Sequence, residues 1–129
     1  MLEGFHTIWC QASDMDRGVA FYRDILGLKL SFASPYWSQF DLGNGHLGLH
    51  PKLENSEPPL GIYGKGWFVG FKTADIRALR AKLESNGVVI HGDYHDVPGG
   101  VVLDFEDPDG NTIEVIQMGL TAKDISASK

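Results

Sequence analysis

With 129 residues the chain is long enough for one domain with a real core and too short for two ordinary ones. Its 43% hydrophobic content is that of a globular protein, and its net charge of −6 argues against nucleic acid and anionic membrane as partners. No apolar run approaches a membrane span, no charged-then-apolar leader opens the chain, and the single cysteine, Cys10, excludes an internal disulfide and a cysteine-rich zinc site, so a cytoplasmic protein is the expectation.

Taken in chain order, "FHTIWCQA" (5–12) reads as a strand. "SDMDRGVAFYRDILG" (13–27) reads as a helix, with Ser13 or Asp14 as N-cap and Gly27 as its stop. Met15, Val19, Tyr22 and Leu26 recur on one face of it. Three short strands follow, "LKLSFAS", "YWSQFDL" and "HLGLH", separated by Pro35 and the Gly43-Asn44-Gly45 turn. Residues 51–66 form a Pro/Gly-rich linker. "WFVGFKT" is then a strand. "ADIRALRAKLESNG" is a helix with Ile76, Leu79 and Leu83 inward and Gly87 as its stop. "VVIHGDY", "VVLDFE" and "TIEVIQ" are strands, with Asp109-Gly110 as the last turn. Residues 119–129 read as a polar, fraying tail.

The order strand, helix, three strands thus occurs twice, in module one (4–50) and module two (67–118), within one domain spanning 1–129. One helix covers one face of each sheet. The other faces are expected to curl toward each other and enclose a cavity, where function would lie.

Strand phase says which side chains line that cavity. Ile113 and Val115 point to the helix, so Glu114 points away with Thr112 and Ile116. Ile8, Cys10 and Ala12 point to the first helix, making Cys10 a small buried hydrophobe and leaving Thr7, Trp9 and Gln11 on the cavity side. Trp37 and Gln39 share a phase opposite to Phe40 and Leu42. A carboxylate on a largely buried strand needs a reason, and Glu114 is the residue that asks for one.

Two stretches carry a resemblance. "SDMDRGVAFYRDILGL" is similar to the first helix, and "EDPDGNTIEVIQ" to the last turn and strand, of the vicinal oxygen chelate superfamily: glyoxalase I, fosfomycin and bleomycin resistance proteins, and extradiol dioxygenases. The resemblance covers about residues 5–118. It implies an α+β fold of two βαβββ modules forming a curved eight-stranded mixed sheet around a cavity, and a homodimer. It also implies four metal positions, on the first and last strand of each half. Here they fall on Thr7, Gly48, Phe68 and Glu114. One carboxylate does not hold an ion against water, so no metal cofactor is expected. The alternative is a divalent ion on His6, His50 and Glu114, with a one-residue bulge turning His6 inward.

The expected function is binding of a small apolar or aromatic organic ligand, with Glu114 as polar anchor or general base. Trp9, Trp37 and Phe68 would be its aromatic lining, and Thr7, Gln11, Gln39, His50 and Lys72 its remaining contacts. Each also has a plainer role: core packing for the aromatics, a place at the sheet rim for His50, and Lys72 or Gln11 as structural partner of Glu114. The competing function is a metal-dependent lyase, of the lactoylglutathione lyase type, or a dioxygenase. His91 and His95 lie four residues apart, but on strand and turn, where helical zinc-pair spacing does not apply. Gly99-Gly100 suggests, by analogy, a mobile loop at the cavity mouth.

Overall fold

The computed structural model describes residues 1, 3, 5–54 and 68–127. The chain divides into two units, Met1–Pro58 and Pro59–Lys129. Residues 55–66 of the expected linker, and Trp67, lie outside the described residues.

In the first unit the expected elements appear in order: β1 (Thr7–Ala12), α1 (Met15–Ala20), β2 (Lys29–Phe32), β3 (Ser38–Asp41) and β4 (His46–Pro51). Between α1 and β2, one wider π-helical segment, Phe21–Ile25, continues the helix. Asp14, extended at φ −131°, caps α1 by accepting from the Arg17 N–H at 3.0 Å. Gly27, at φ +75°, lets the chain leave the helix. The sheet runs β1-β4-β3-β2, with β1 parallel to β4 and the other pairs antiparallel. The helix sits close against it at Gly18, where a Cβ would lie 3.2 Å from both Ala12 Cβ and Leu49 Cδ1. Tyr22, Phe40, Leu47 and Leu49 are buried beneath, and Cys10 Sγ lies 3.8 Å from the Tyr22 hydroxyl. The phase expected for β1 therefore holds.

The second unit repeats the plan: β5 (Val69–Lys72), α2 (Ile76–Ser85), β6 (Ile90–Val97), β7 (Gly100–Glu106) and β8 (Thr112–Met118), in sheet order β5-β8-β7-β6. Asp75 caps α2 through the Ala78 N–H at 3.0 Å, and Gln117 reaches over from β8 to accept from the Ile76 N–H at 2.8 Å. Ile76, Leu83, Leu103, Phe105, Ile113 and Val115 form the buried layer between helix and sheet. The turn before β8 is held by Asp107. Its Oδ1 accepts from the N–H groups of Asp109 and Asn111, and its Oδ2 accepts from Asn111 Nδ2 at 2.8 Å. The eight strands are thus hydrogen-bonded as two mixed sheets of four, one per βαβββ module.

Two details differ from expectation. β6 does not end at Tyr94 but runs on to Val97, so the expected loop shrinks to a tight turn at Pro98-Gly99. The tail does not fray between Ala122 and Ala127, which form α3. Ile125, 2% exposed, anchors it. The Ala122 N–H donates to Asp96 Oδ1 at 2.8 Å, and Thr121 and Asp124 cap each other reciprocally. A polar sequence hid one buried isoleucine.

Candidate functional site

The two sheets have the same register. Trp9 lies opposite Gly48 in the first, and Gly70 opposite Glu114 in the second. Gly48 and Glu114 are therefore equivalent positions, and two residues back along the first strands Thr7 is equivalent to Phe68. These are the four positions at which the resemblance sets a metal.

On the first sheet, the face opposite α1 carries Thr7, Trp9 and Gln11 from β1, Gln39 from β3, and Gly48 and His50 from β4. The Thr7 hydroxyl donates to the His46 carbonyl at 3.1 Å. Trp9, 48% exposed, lies with its ring 5.7 Å from that of His50. The His50 Nδ1–H donates to the Pro51 carbonyl at 2.7 Å, since a carbonyl can only accept. Gln11 accepts from the Leu53 N–H at 2.9 Å, so its amide oxygen secures the chain leaving β4. Trp37 donates from its indole N–H to Gln39 Oε1 at 2.9 Å and lies flat over Gly48. A Cβ at position 48 would land on Cη2 and Cζ2 of that ring. Glycine here is a steric requirement and not merely a missing donor. His6 lies just before β1 and is exposed, with its ring edge-on to His46 at 4.7 Å.

A family metal does not fit this donor set. Position 48 cannot carry a side chain while Trp37 occupies that space. Phe68 offers no donor, and the hydroxyl of Thr7 is turned to a backbone carbonyl.

On the second sheet, Phe68 is 47% exposed and Lys72 is exposed on β5. Glu114 is half-buried and, among the described residues, forms no ion pair with Lys72. Its partner is Asp104, directly across the β7–β8 rung and 5% exposed. A carboxyl oxygen of each lies within 4.8 Å of one of the other. Burial, and then the charge of Asp104, push the Glu114 carboxyl above its ordinary pKa, while His95 pulls the other way. Among the described residues, His95, Asp104 and Glu114 form the one group of three potential metal donors, with their ligand atoms all within 4.8 Å of one another.

His95 reaches this pair because β6 is irregular. A regular ladder continued from the His91–Asp104 rung would set His95 opposite Gly100. The observed register sets it opposite Val102, one same-face step from Asp104. Gly92, at φ +67°, allows the kink, and Arg80 of α2 holds the bulged Asp93 at 2.6 Å. Further along the face, His91 Nε2 lies 2.9 Å from Glu106 Oε2, yet the ring N–H does not aim along that line. Thr112 Oγ1 beside it is also buried without a hydrogen-bond partner.

Asp104 and His95 were absent from the residues expected at the site. A signal for Asp104 was present: it stands three residues before Asp107 and Glu114 three after Asn111, so a hairpin closed on that turn must pair them.

With this geometry in hand, the fold and its last turn define the class. Residues 4–115 match the Glyoxalase/Bleomycin resistance protein/Dioxygenase superfamily, and the chain belongs to that superfamily. It is 28% identical over 127 residues to lactoylglutathione lyase GLX1 of Arabidopsis thaliana, covering 90% of this chain and 44% of that one, so it spans less than half the length of that curated relative. Among solved structures it is similar to a lactoylglutathione lyase from Agrobacterium tumefaciens, with 27% identity, TM-score 0.66, and 87% of this chain and 91% of that one covered. It also shares its fold with TnmS3, an antibiotic binding protein from Streptomyces sp. CB03234, at 24% identity, TM-score 0.73, and 92% and 98% coverage. No described helix is long and apolar enough to cross a membrane.

Proposed function

We propose that this protein binds a small apolar or aromatic organic ligand without a metal at the family's positions, with the Glu114 carboxyl as its polar anchor. The observation that carries this reading is the Asp104–Glu114 pair. Burial and the nearby charge of Asp104 raise the Glu114 pKa, which favours the protonated carboxyl, a hydrogen-bond donor as well as an acceptor. Such a group can grip a ligand carbonyl or hydroxyl, or move a proton to it. Exposed Trp9 and Phe68 supply apolar, flat contact surface, and Trp37, Gln39 and His50 are the further contacts proposed. A homodimer is part of the same proposal.

A second reading is a metal-dependent lyase, favoured by the 27–28% identity to lactoylglutathione lyases. It needs donors where this chain has Thr7, Gly48 and Phe68. Tryptophan fluorescence titration with a panel of aromatic compounds separates the two. Under the binding reading, saturable quenching survives chelator treatment and is weakened about tenfold or more in Glu114→Ala, the usual scale for a lost buried polar contact. Turnover of a hemithioacetal that requires added nickel or zinc and disappears in Glu114→Ala would instead establish the lyase.

A further inference from the structure

We propose that His95, Asp104 and Glu114 form a binding site for one divalent transition-metal ion, built wholly within the second unit and sharing only Glu114 with the family's four metal positions. The donors come from β6, β7 and β8, three strands side by side. They comprise one imidazole nitrogen and two carboxylate groups, a set that suits manganese, ferrous iron or zinc. Three protein donors also leave coordination positions open for water or an oxygen ligand.

Two further observations point to a cation. Asp104 is 5% exposed, so its carboxyl is poorly hydrated, and it faces a second carboxyl at close range. Among the described residues, no lysine or arginine forms an ion pair with either. Lys72, the lysine of this face, is exposed on β5 beside Ile116. His91, directly opposite Asp104, has its Nε2 close to Glu106 instead. A dication answers two facing carboxylates with which no described lysine or arginine pairs. The third donor, moreover, is brought there by a built irregularity. The bulge at Gly92 moves His95 one same-face step nearer the pair, and Arg80 braces it from α2 by bonding Asp93 and covering the Tyr94 ring at 4.8 Å.

Ligand anchoring at Glu114 needs no ion, so metal titration of the ligand-free chain and ligand titration of the chelator-stripped chain are read separately. The test is titration of the full, chelator-stripped chain with manganese chloride, followed by electron paramagnetic resonance, and with zinc chloride, followed by calorimetry. The expected result is one saturable equivalent, with nitrogen coupling to bound manganese. His95→Gln should abolish that coupling and weaken binding about tenfold or more, as should Asp104→Asn. His6→Ala and His46→Ala should leave binding unchanged. Because His95 is exposed, His95→Gln keeps the fold and the test decisive even if Asp104→Asn unfolds. Absence of saturation by about 1 mM ion, nitrogen coupling that survives His95→Gln, or binding lost with His46→Ala would overturn the proposal.

Discussion

Asp104 and Glu114 face each other across one rung of β7 and β8, with a carboxyl oxygen of each within 4.8 Å of one of the other and Asp104 almost wholly buried. Burial first, and then the charge of Asp104, disfavour the ionised form of Glu114.

This arrangement has a consequence for stability. In the folded chain the Glu114 pKa is raised above its unfolded value, burial being the largest cause. Its favourable contribution is therefore fully present below the unfolded pKa and is lost as pH rises through the folded one. Glu114→Gln should consequently stabilise the protein at neutral pH, by up to about 1 kcal/mol, and flatten the decline from acid to neutral pH. Urea unfolding of both proteins across that range checks it, and parallel stability curves would count against the pairing.

The contact between Trp37 and Gly48 predicts a steric coupling. Gly48→Ala should destabilise by about 1–3 kcal/mol, the usual cost of overpacking. In a Trp37→Ala background the same substitution should cost much less, because the obstructing ring is gone. A double-mutant cycle by denaturant unfolding measures this.

Gly92 should matter for a different reason. A Cβ there meets nothing within 4 Å, but φ of +67° strains any L side chain. Gly92→Ala is expected to cost about 1 kcal/mol and to weaken manganese binding by shifting His95, whereas Gly43→Ala should cost a similar amount without touching manganese affinity.

The α3 helix gives a pH-dependent prediction of opposite sign. The Thr121 side chain first, and its backbone second, hold the Asp124 carboxyl below its ordinary pKa. The capping contribution is present above the unfolded pKa and is lost as pH falls through the folded one. Amide exchange in Ala122–Ala127 should accelerate in acid before that of β7. Ile125→Ala should produce the same loosening at neutral pH, at a cost of about 1–2 kcal/mol.

Much of the fold was legible because local signals set it. Asp14 and Gly27 bound the first helix, and the alternation of Ile113, Glu114 and Val115 fixed which way the carboxylate points. The strand expected from Phe5 begins two residues later, at Thr7. The site was less legible because its members meet through register between strands. Asp104 read as one polar residue in a buried run until the turn at Asp107 paired it with Glu114. His95 depends on a bulge that no period-2 pattern announces. The ring of Trp37, just before β3, reaches over Gly48 of β4, so the sequence offered a missing donor where the structure has a filled space.

The pairing of Asp104 with Glu114 is open to direct measurement. The carbon-13 resonance of the Glu114 side-chain carboxyl, followed through a pH titration of the metal-free chain, should show a midpoint above that of an ordinary glutamate, moving back toward it in Asp104→Asn. A midpoint at the ordinary value, unmoved by that substitution, would contradict the account.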